Sequence, residues 1–234
     1  MLKVHNLDFY YGEIKVLTNI FLTVNDGEYV ALFGPNGHGK STLLKVICGL
    51  LTPTTGYVEY NNQQIALLSV QKKVEMGLVY IAEDRHLFPD MTVLDNLKTG
   101  AYTKNARLKE NENLEYVYEL FPKLKTLRNR FVKTLSGGEG RMVAIGRGLM
   151  SNPKLLAIDE PSFGLAPNLQ VEVFKKIDQI RSGGCTILLV EQSTAIAADH
   201  ADRICILEDG NIVFEGTKEQ AVSNDEIREV FLGI

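Results

Sequence analysis

The run Gly34 to Thr42 reads GPNGHGKST: glycine, four residues, then Gly-Lys-Ser, the spacing of a phosphate-binding loop. Gly34, Gly37 and Gly39 free the backbone to curl with its N–H groups inward, Pro35, Asn36 and His38 fill the turn, and the helix start that follows adds partial positive charge. All of these residues are expected to bind a nucleotide. Lys40 would reach its β and γ phosphates, Ser41 would ligate Mg²⁺, and Thr42 would hydrogen-bond the α phosphate. His38 is expected to sit at the solvent side of the loop rather than to catalyse.

A second cluster lies at Leu155 to Ser162, LLAIDEPS, an apolar strand ending in two acids. Asp159 suits the Mg²⁺ shell, and Glu160 suits polarising a water for in-line attack on the γ phosphate. Alone, the pair could be a strand end that caps a helix; downstream of a phosphate loop the catalytic reading prevails. Between the two clusters, Leu135 to Met142 reads LSGGEGRM. Ser136, Gly137 and Gly138 leave backbone N–H groups free at a helix start, which suits an anion, although an ordinary cap has the same composition. Residues 34–42 already wrap one nucleotide, so this second entrance is expected to serve a nucleotide held by another subunit.

The elements that must carry these residues follow from periodicity. KVHNLDFYYG and NIFLTV alternate as strands, Asn25-Asp26-Gly27 makes a turn, and EYVALF leads into the loop. The helix KSTLLKVICGLL follows it, then strands at Tyr57–Tyr60 and GLVYIA. From about Met91 to Met150 the pattern is helical: TVLDNLKTGAY, KENENLEYVYELF and the segment after LSGG. The strands LLAI, TILLV, RICIL and NIVFEG then alternate with the helix NLQVEVFKKIDQI, and NDEIREVFLGI predicts a short terminal helix. The fold class is therefore α/β: a phosphate-loop NTPase core with a mostly parallel sheet, an N-terminal antiparallel β layer and an inserted α-helical subdomain. Residues 1–234 read as one unit, with 1–83 and 151–234 forming the core and 84–150 the helical subdomain.

Composition narrows the partners. Hydrophobic residues are 45% and charged residues 23% of 234, and the net charge is −4. Dispersed Lys and Arg in a mildly acidic chain argue against a nucleic-acid partner. Cys48, Cys185 and Cys205 sit in apolar runs without metal-ligand spacing and read as buried, reduced thiols. MLKVHNLDFYYG lacks a basic start and an unbroken apolar core, so no secretion signal is expected. No apolar run approaches the roughly 18 residues of a membrane helix.

Taken together, GPNGHGKST, LSGGE and LLAIDEPS, in this order and spacing, resemble the ATP-binding cassette ATPases of ABC transporters, over essentially the whole chain. The resemblance implies a head-to-tail dimer in which each ATP is pinched between one phosphate loop and the partner's LSGG helix, with Tyr11 stacking on adenine. A narrower resemblance rests on VYIAEDRHLFPDMTVLDNL, AIGRGLMSNPKLLAIDEPSFGLAP, ILLVEQ and REVFLG, which are similar to the LivF-like ATP-binding subunits of bacterial and archaeal branched-chain amino acid importers. It implies a cytoplasmic subunit, peripheral on the inner face of the membrane. Its partners would be transmembrane permease subunits, a second cassette (a mixed pair favoured over a homodimer) and, indirectly, a solute-binding protein. Other amino acids, amides or urea are rival solutes.

Several positions depart from the wider superfamily. Glu83 stands where many relatives have a glutamine that senses the γ phosphate and the membrane subunit, and Gln192 stands at the switch histidine; the LivF-like group shares both. Glu83 would join the Mg²⁺ shell directly or through water. Gln192 would hydrogen-bond the γ phosphate but cannot carry a proton, so catalysis leans on Glu160. Gly140 and Arg141 replace two glutamines, Gly148 replaces alanine, and Ala166 replaces an aspartate. Gly140, Gly146 and Gly148 in one helix each cost about 1 kcal/mol relative to alanine, which predicts a less stiff helix. Glu83, Leu87 and Phe88 open the helical insertion and would pass motion to the membrane subunits. A ribosome- or repair-associated cassette, usually fused in tandem, and a nucleotide-gated subunit that barely hydrolyses are the alternative readings.

Overall fold

The computed structural model describes residues 1–192, 194–224 and 227. The N-terminal layer grows from β1 (Leu2–Tyr11) and β2 (Ile14–Val24). In β1, Leu2 and Val4 are buried at even positions and Leu7 and Phe9 at odd ones. Asn6, at φ 44, shifts the phase between them so that both sets face the core. With β4 (Thr55–Tyr60) and β5 (Gln63–Gln64) these strands form an antiparallel sheet in the order β2-β1-β4-β5.

The second sheet holds β3 (Tyr29–Phe33), β6 (Leu78–Ile81), β7 (Leu155–Asp159), β8 (Thr186–Glu191), β9 (Arg203–Glu208) and β10 (Asn211–Gly216), in the order β10-β9-β3-β8-β7-β6. Its strands pair in parallel except β10, antiparallel to β9. β3, β7 and β8 are buried throughout, as parallel strands covered on both faces must be.

α1 (Lys40–Cys48) lies between the sheets and ends at Gly49, left-handed at φ 81, short of the expected Leu51. On that face Val30, Leu32, Leu188 and Val190 pack with Leu43, Leu44 and Ile47 and with the antiparallel sheet. The alternate residues Tyr29, Ala31, Phe33, Ile187 and Leu189 face the other way, into a cluster with Val93, Leu97, Val117, Ile145 and Phe174. Those five belong to α3 (Val93–Thr99), α5 (Glu110–Leu120), α7 (Gly137–Leu149) and α8 (Pro167–Ser182).

The helical stretch is more divided than its periodicity predicted. α4 (Lys104–Leu108) and α6 (Pro122–Thr126) interrupt it, the first opened by the Thr103 cap and the second by Pro122. The sequence reading also missed α2 (Val70–Glu75), α9 (Thr194–Ala197) and α10 (Lys218–Ser223). The expected terminal helix over 224–234, with REVFLG, lies outside the described residues apart from residues 224 and 227.

Candidate nucleotide site

β3 delivers the chain to a loop that only glycine can turn at two points. Gly34 has φ 152, and a Cβ there would lie 2.1 Å from Leu207 O; Gly39 caps α1 at φ 102 with Val16 O 3.0 Å from where its Cβ would be. Lys40 is buried, and its Nζ donates to Gly34 O (2.8 Å) and Pro35 O (3.1 Å). The His38 ring does not stand free. Its Nδ1 accepts the Asp209 N–H at 2.9 Å, tying the loop to the β9–β10 turn.

β7 brings the acids to the same place. Asp159 Oδ1 accepts from Ser41 Oγ at 2.9 Å, and Oδ2 from Tyr80 OH at 2.8 Å. Burial raises the Asp159 carboxyl above its usual range, and the Tyr80 and Ser41 hydrogen bonds oppose the rise. Glu160 adopts φ 43, left-handed for a residue with a side chain, and is held there by its N–H to Val190 O at 2.9 Å. Its Oε1 lies 3.6 Å from Lys40 Nζ. Burial raises its pKa, Lys40 pulls it down, and Glu83 and Asp159 push it up again.

Asn36, Gly37, Gly39, Lys40, Ser41, Thr42, Glu83, Glu160 and Phe163 line one cavity of about 290 Å³. Gln192 joins its rim through Oε1, which accepts from Asn36 Nδ2 at 3.1 Å. Tyr11 is not among the lining residues. It is 48% exposed where β1 turns into β2, edge-on to Phe9 at 4.9 Å, an available aromatic face.

Ser136, Gly137 and Gly138 are not in this cavity either. They open α7 with a reciprocal cap: Ser136 Oγ accepts the Glu139 N–H at 3.3 Å, and the Ser136 N–H donates to Glu139 Oε2 at 2.8 Å. Ala166 leaves α8 without a side-chain cap.

Sequence reasoning missed Tyr80, Phe163 and Glu191. Glu191 is 2% exposed and accepts the Ser162 N–H at 2.9 Å, and burial pushes its carboxyl up to about 7. Its position after the ILLV strand, mirroring Glu160 after LLAID, was the available signal.

Ser41 Oγ and Asp159 Oδ1 are hard oxygen donors already within hydrogen-bond distance of each other, a donor pair that fits Mg²⁺ shared with phosphate oxygens. Among the described residues no group of three or more His, Cys, Asp or Glu could hold a metal by itself.

Residues 17–163 match the family model described as ABC transporter. The chain is 39% identical to the high-affinity branched-chain amino acid transport ATP-binding protein BraG of Pseudomonas aeruginosa, with both chains covered fully. It is 32% identical to the probable branched-chain amino acid transport ATP-binding protein LivG of Methanocaldococcus jannaschii, covering 100% of this chain and 97% of the relative. It is also 32% identical to the corresponding LivF of Archaeoglobus fulgidus, covering 100% and 99%. Among solved structures, an ATP-binding cassette of an ABC transporter in its ADP conformation superposes with a TM-score of 0.86 at 31% identity, covering 100% and 99%. A dimeric cassette in a post-hydrolysis state, bound to ADP and Pi, superposes with 0.79 at 27% identity, covering 93% and 98%.

Proposed function

Since the chain belongs to the ABC transporter family, as its ATP-binding and ATP-hydrolysing subunit, we propose that it energises uptake of branched-chain amino acids through membrane permease subunits. The observation that carries the catalytic part is Glu160 Oε1 at 3.6 Å from Lys40 Nζ in one cavity with Glu83. Lys40 would leave the Gly34 and Pro35 carbonyls for the β and γ phosphates. Glu160 would take a proton from water as its oxygen attacks the γ phosphorus in line and the bond to the bridging oxygen breaks, giving ADP and phosphate. A raised carboxyl pKa strengthens Glu160 as a base. Ser41, Asp159 and Glu83 would hold Mg²⁺, which when bound offsets phosphate charge. Gln192 would donate its amide to the γ phosphate, and Tyr11 would stack on adenine.

Ser136, Gly137 and Gly138 are read as completing the site of a second cassette. We take that cassette to be a related chain rather than a copy, the pairing that the family resemblance favours. Permease subunits would dock in the groove of about 550 Å³ rimmed by Phe88 and Tyr102, which are 49% and 58% exposed. Residues 84–150 would move as the helical subdomain that transmits closure. Among the described residues no helix is long and apolar enough to cross a membrane; we place the chain peripherally on the cytoplasmic face, with a solute-binding protein reached only through the permease.

Replacing Glu160 by Gln tests the assignment. It should keep nucleotide affinity within about twofold while kcat falls by about 10² or more. Phosphate release from that variant at the parent rate would remove Glu160 as the base. Uptake of labelled branched-chain amino acids by vesicles holding the chain with its permease tests the solute, and uptake of glutamine or urea alone would reassign it.

A further inference from the structure

Arg141 is the largest fully buried side chain among the described residues, 1% exposed, yet it carries a charge. It lies on α7, and its Nη1 donates to Ala82 O at 3.3 Å, beside Glu83, while its Nε has no hydrogen-bond partner. The acids within its electrostatic reach are Glu191, Glu83 and Asp159, all around the nucleotide cavity, and Arg85 opposes it. A second arginine of α7 grips the same turn further on: Arg147 donates to His86 O at 2.7 Å and Arg85 O at 2.8 Å. The turn itself is strained, with Arg85 at φ 65 and His86 at φ 45, and the donors from α7 brace it alongside its own Arg85 N–H to Ala82 O and His86 N–H to Asp84 O bonds. Gly140 belongs to the same arrangement, because a Cβ there would come within 3.0 Å of Arg85 Nη1.

We propose that Arg141 is a positioning residue for catalysis: by holding Ala82 to α7 it fixes Glu83 in the nucleotide cavity. It would thereby join the Glu83 turn to the helix whose start serves the neighbouring cassette. The inference rests on the reading of the cavity as the ATP site. A purely structural strut is the competing account, and the two differ in what they predict for stability. Removing the guanidinium leaves Ala82 O still accepting the Arg85 N–H at 3.2 Å, and an unpaired buried cation is costly to keep. A neutral side chain of similar length therefore holds or raises stability.

The test is kinetic, on the full chain. In R141M, kcat should fall about tenfold with nucleotide affinity unchanged, a size typical of removing a supporting partner. The unfolding midpoint should stay level or rise. Should R141M fail to fold, R141L, equally neutral and unable to donate to Ala82 O, is read the same way. In a cycle with E83Q the double variant should be no slower than the worse single one, because both changes break the same unit. Parent-like kcat in R141M, losses that multiply in the double variant, or a kcat loss matched by lost stability would each overturn the proposal while leaving the ATP site standing. Parent-like kcat in E83Q would remove Glu83 from the site, and the proposal with it.

Discussion

Burial raises the carboxyls of Asp159, Glu160 and Glu191, and Glu191 the furthest, to about 7. Loss of water is the main cause; the Ser162 N–H at 2.9 Å opposes it, and the neighbouring Glu160 adds to it. In the unfolded chain this carboxyl titrates at its ordinary value, about 4.3. Between that value and 7 the folded protein keeps a proton that the unfolded chain has lost. The folded state then binds more protons, so its stability is complete below the lower value and declines as pH rises through 7. The full difference corresponds to about 3–4 kcal/mol. Replacing Glu191 by Gln removes the ionisation while keeping an oxygen to accept the Ser162 N–H. Denaturant unfolding at pH 5 and pH 8.5 should show the parent losing about 3 kcal/mol relative to E191Q over that interval. Asp159 and Glu160 titrate in both proteins and largely cancel in the comparison. Parallel curves would mean that Glu191 is ionised in both states.

Elements set the sign of substitutions that look alike in sequence. Gly146 and Gly148 lie one turn-half apart on α7, and helix propensity alone favours alanine at both by about 1 kcal/mol. A Cβ on Gly146 would meet Val117 Cγ1 at 2.9 Å and Leu97 Cδ2 at 3.0 Å, side chains with no exposure at all. Neither can withdraw, so G146A should destabilise, the overpacking cost of about 1–3 kcal/mol exceeding the propensity gain. A Cβ on Gly148 would meet only Ile81 Cδ1 and Cγ1 at 3.1 Å, then Leu156 at 3.7 Å, and Ile81 borders the groove beside Phe88. There the neighbour has room, and G148A should stabilise by about 0.5–1 kcal/mol. Equal midpoint shifts would mean that propensity governs both sites. The less stiff helix predicted from three glycines thus meets close contacts at each of them. Sequence periodicity made the phosphate loop, the parallel strands and the long helices legible, because each is locally determined. It missed α2 and α10, six residues each, too short for a periodic signal. It missed Glu191 and Tyr80 for another reason: they reach the site only through strand register. Asp159 pairs with Val190 and Ala157 with Tyr80; the acid closing the ILLV strand is a local hint of Glu191, whereas no local pattern encodes the place of Tyr80.

At the scale of the whole molecule, the Ser136–Gly138 start of α7 lies outside the cavity formed by its own phosphate loop, and on the proposed reading its N–H groups meet a nucleotide supplied by a second cassette. Gly137 allows this arrangement to be separated from one within a single chain. It is exposed, at the first turn of α7, and a Cβ there would touch only Arg85 Nη2 at 3.8 Å. An aspartate at this position meets the positive end of the helix dipole, which stabilises the folded chain by about 0.3–1 kcal/mol. The same charge would face the γ phosphate of a nucleotide brought by the partner and repel it. On the E160Q background, with Mg²⁺ and ATP at high protein concentration, sedimentation should show a dimer that G137D abolishes. ATP affinity of the isolated G137D chain should remain within about twofold of the parent, and its unfolding midpoint should not fall. If G137D instead weakens ATP binding to the monomer tenfold or more, the signature residues act on their own chain's nucleotide, and the shared-site reading is wrong.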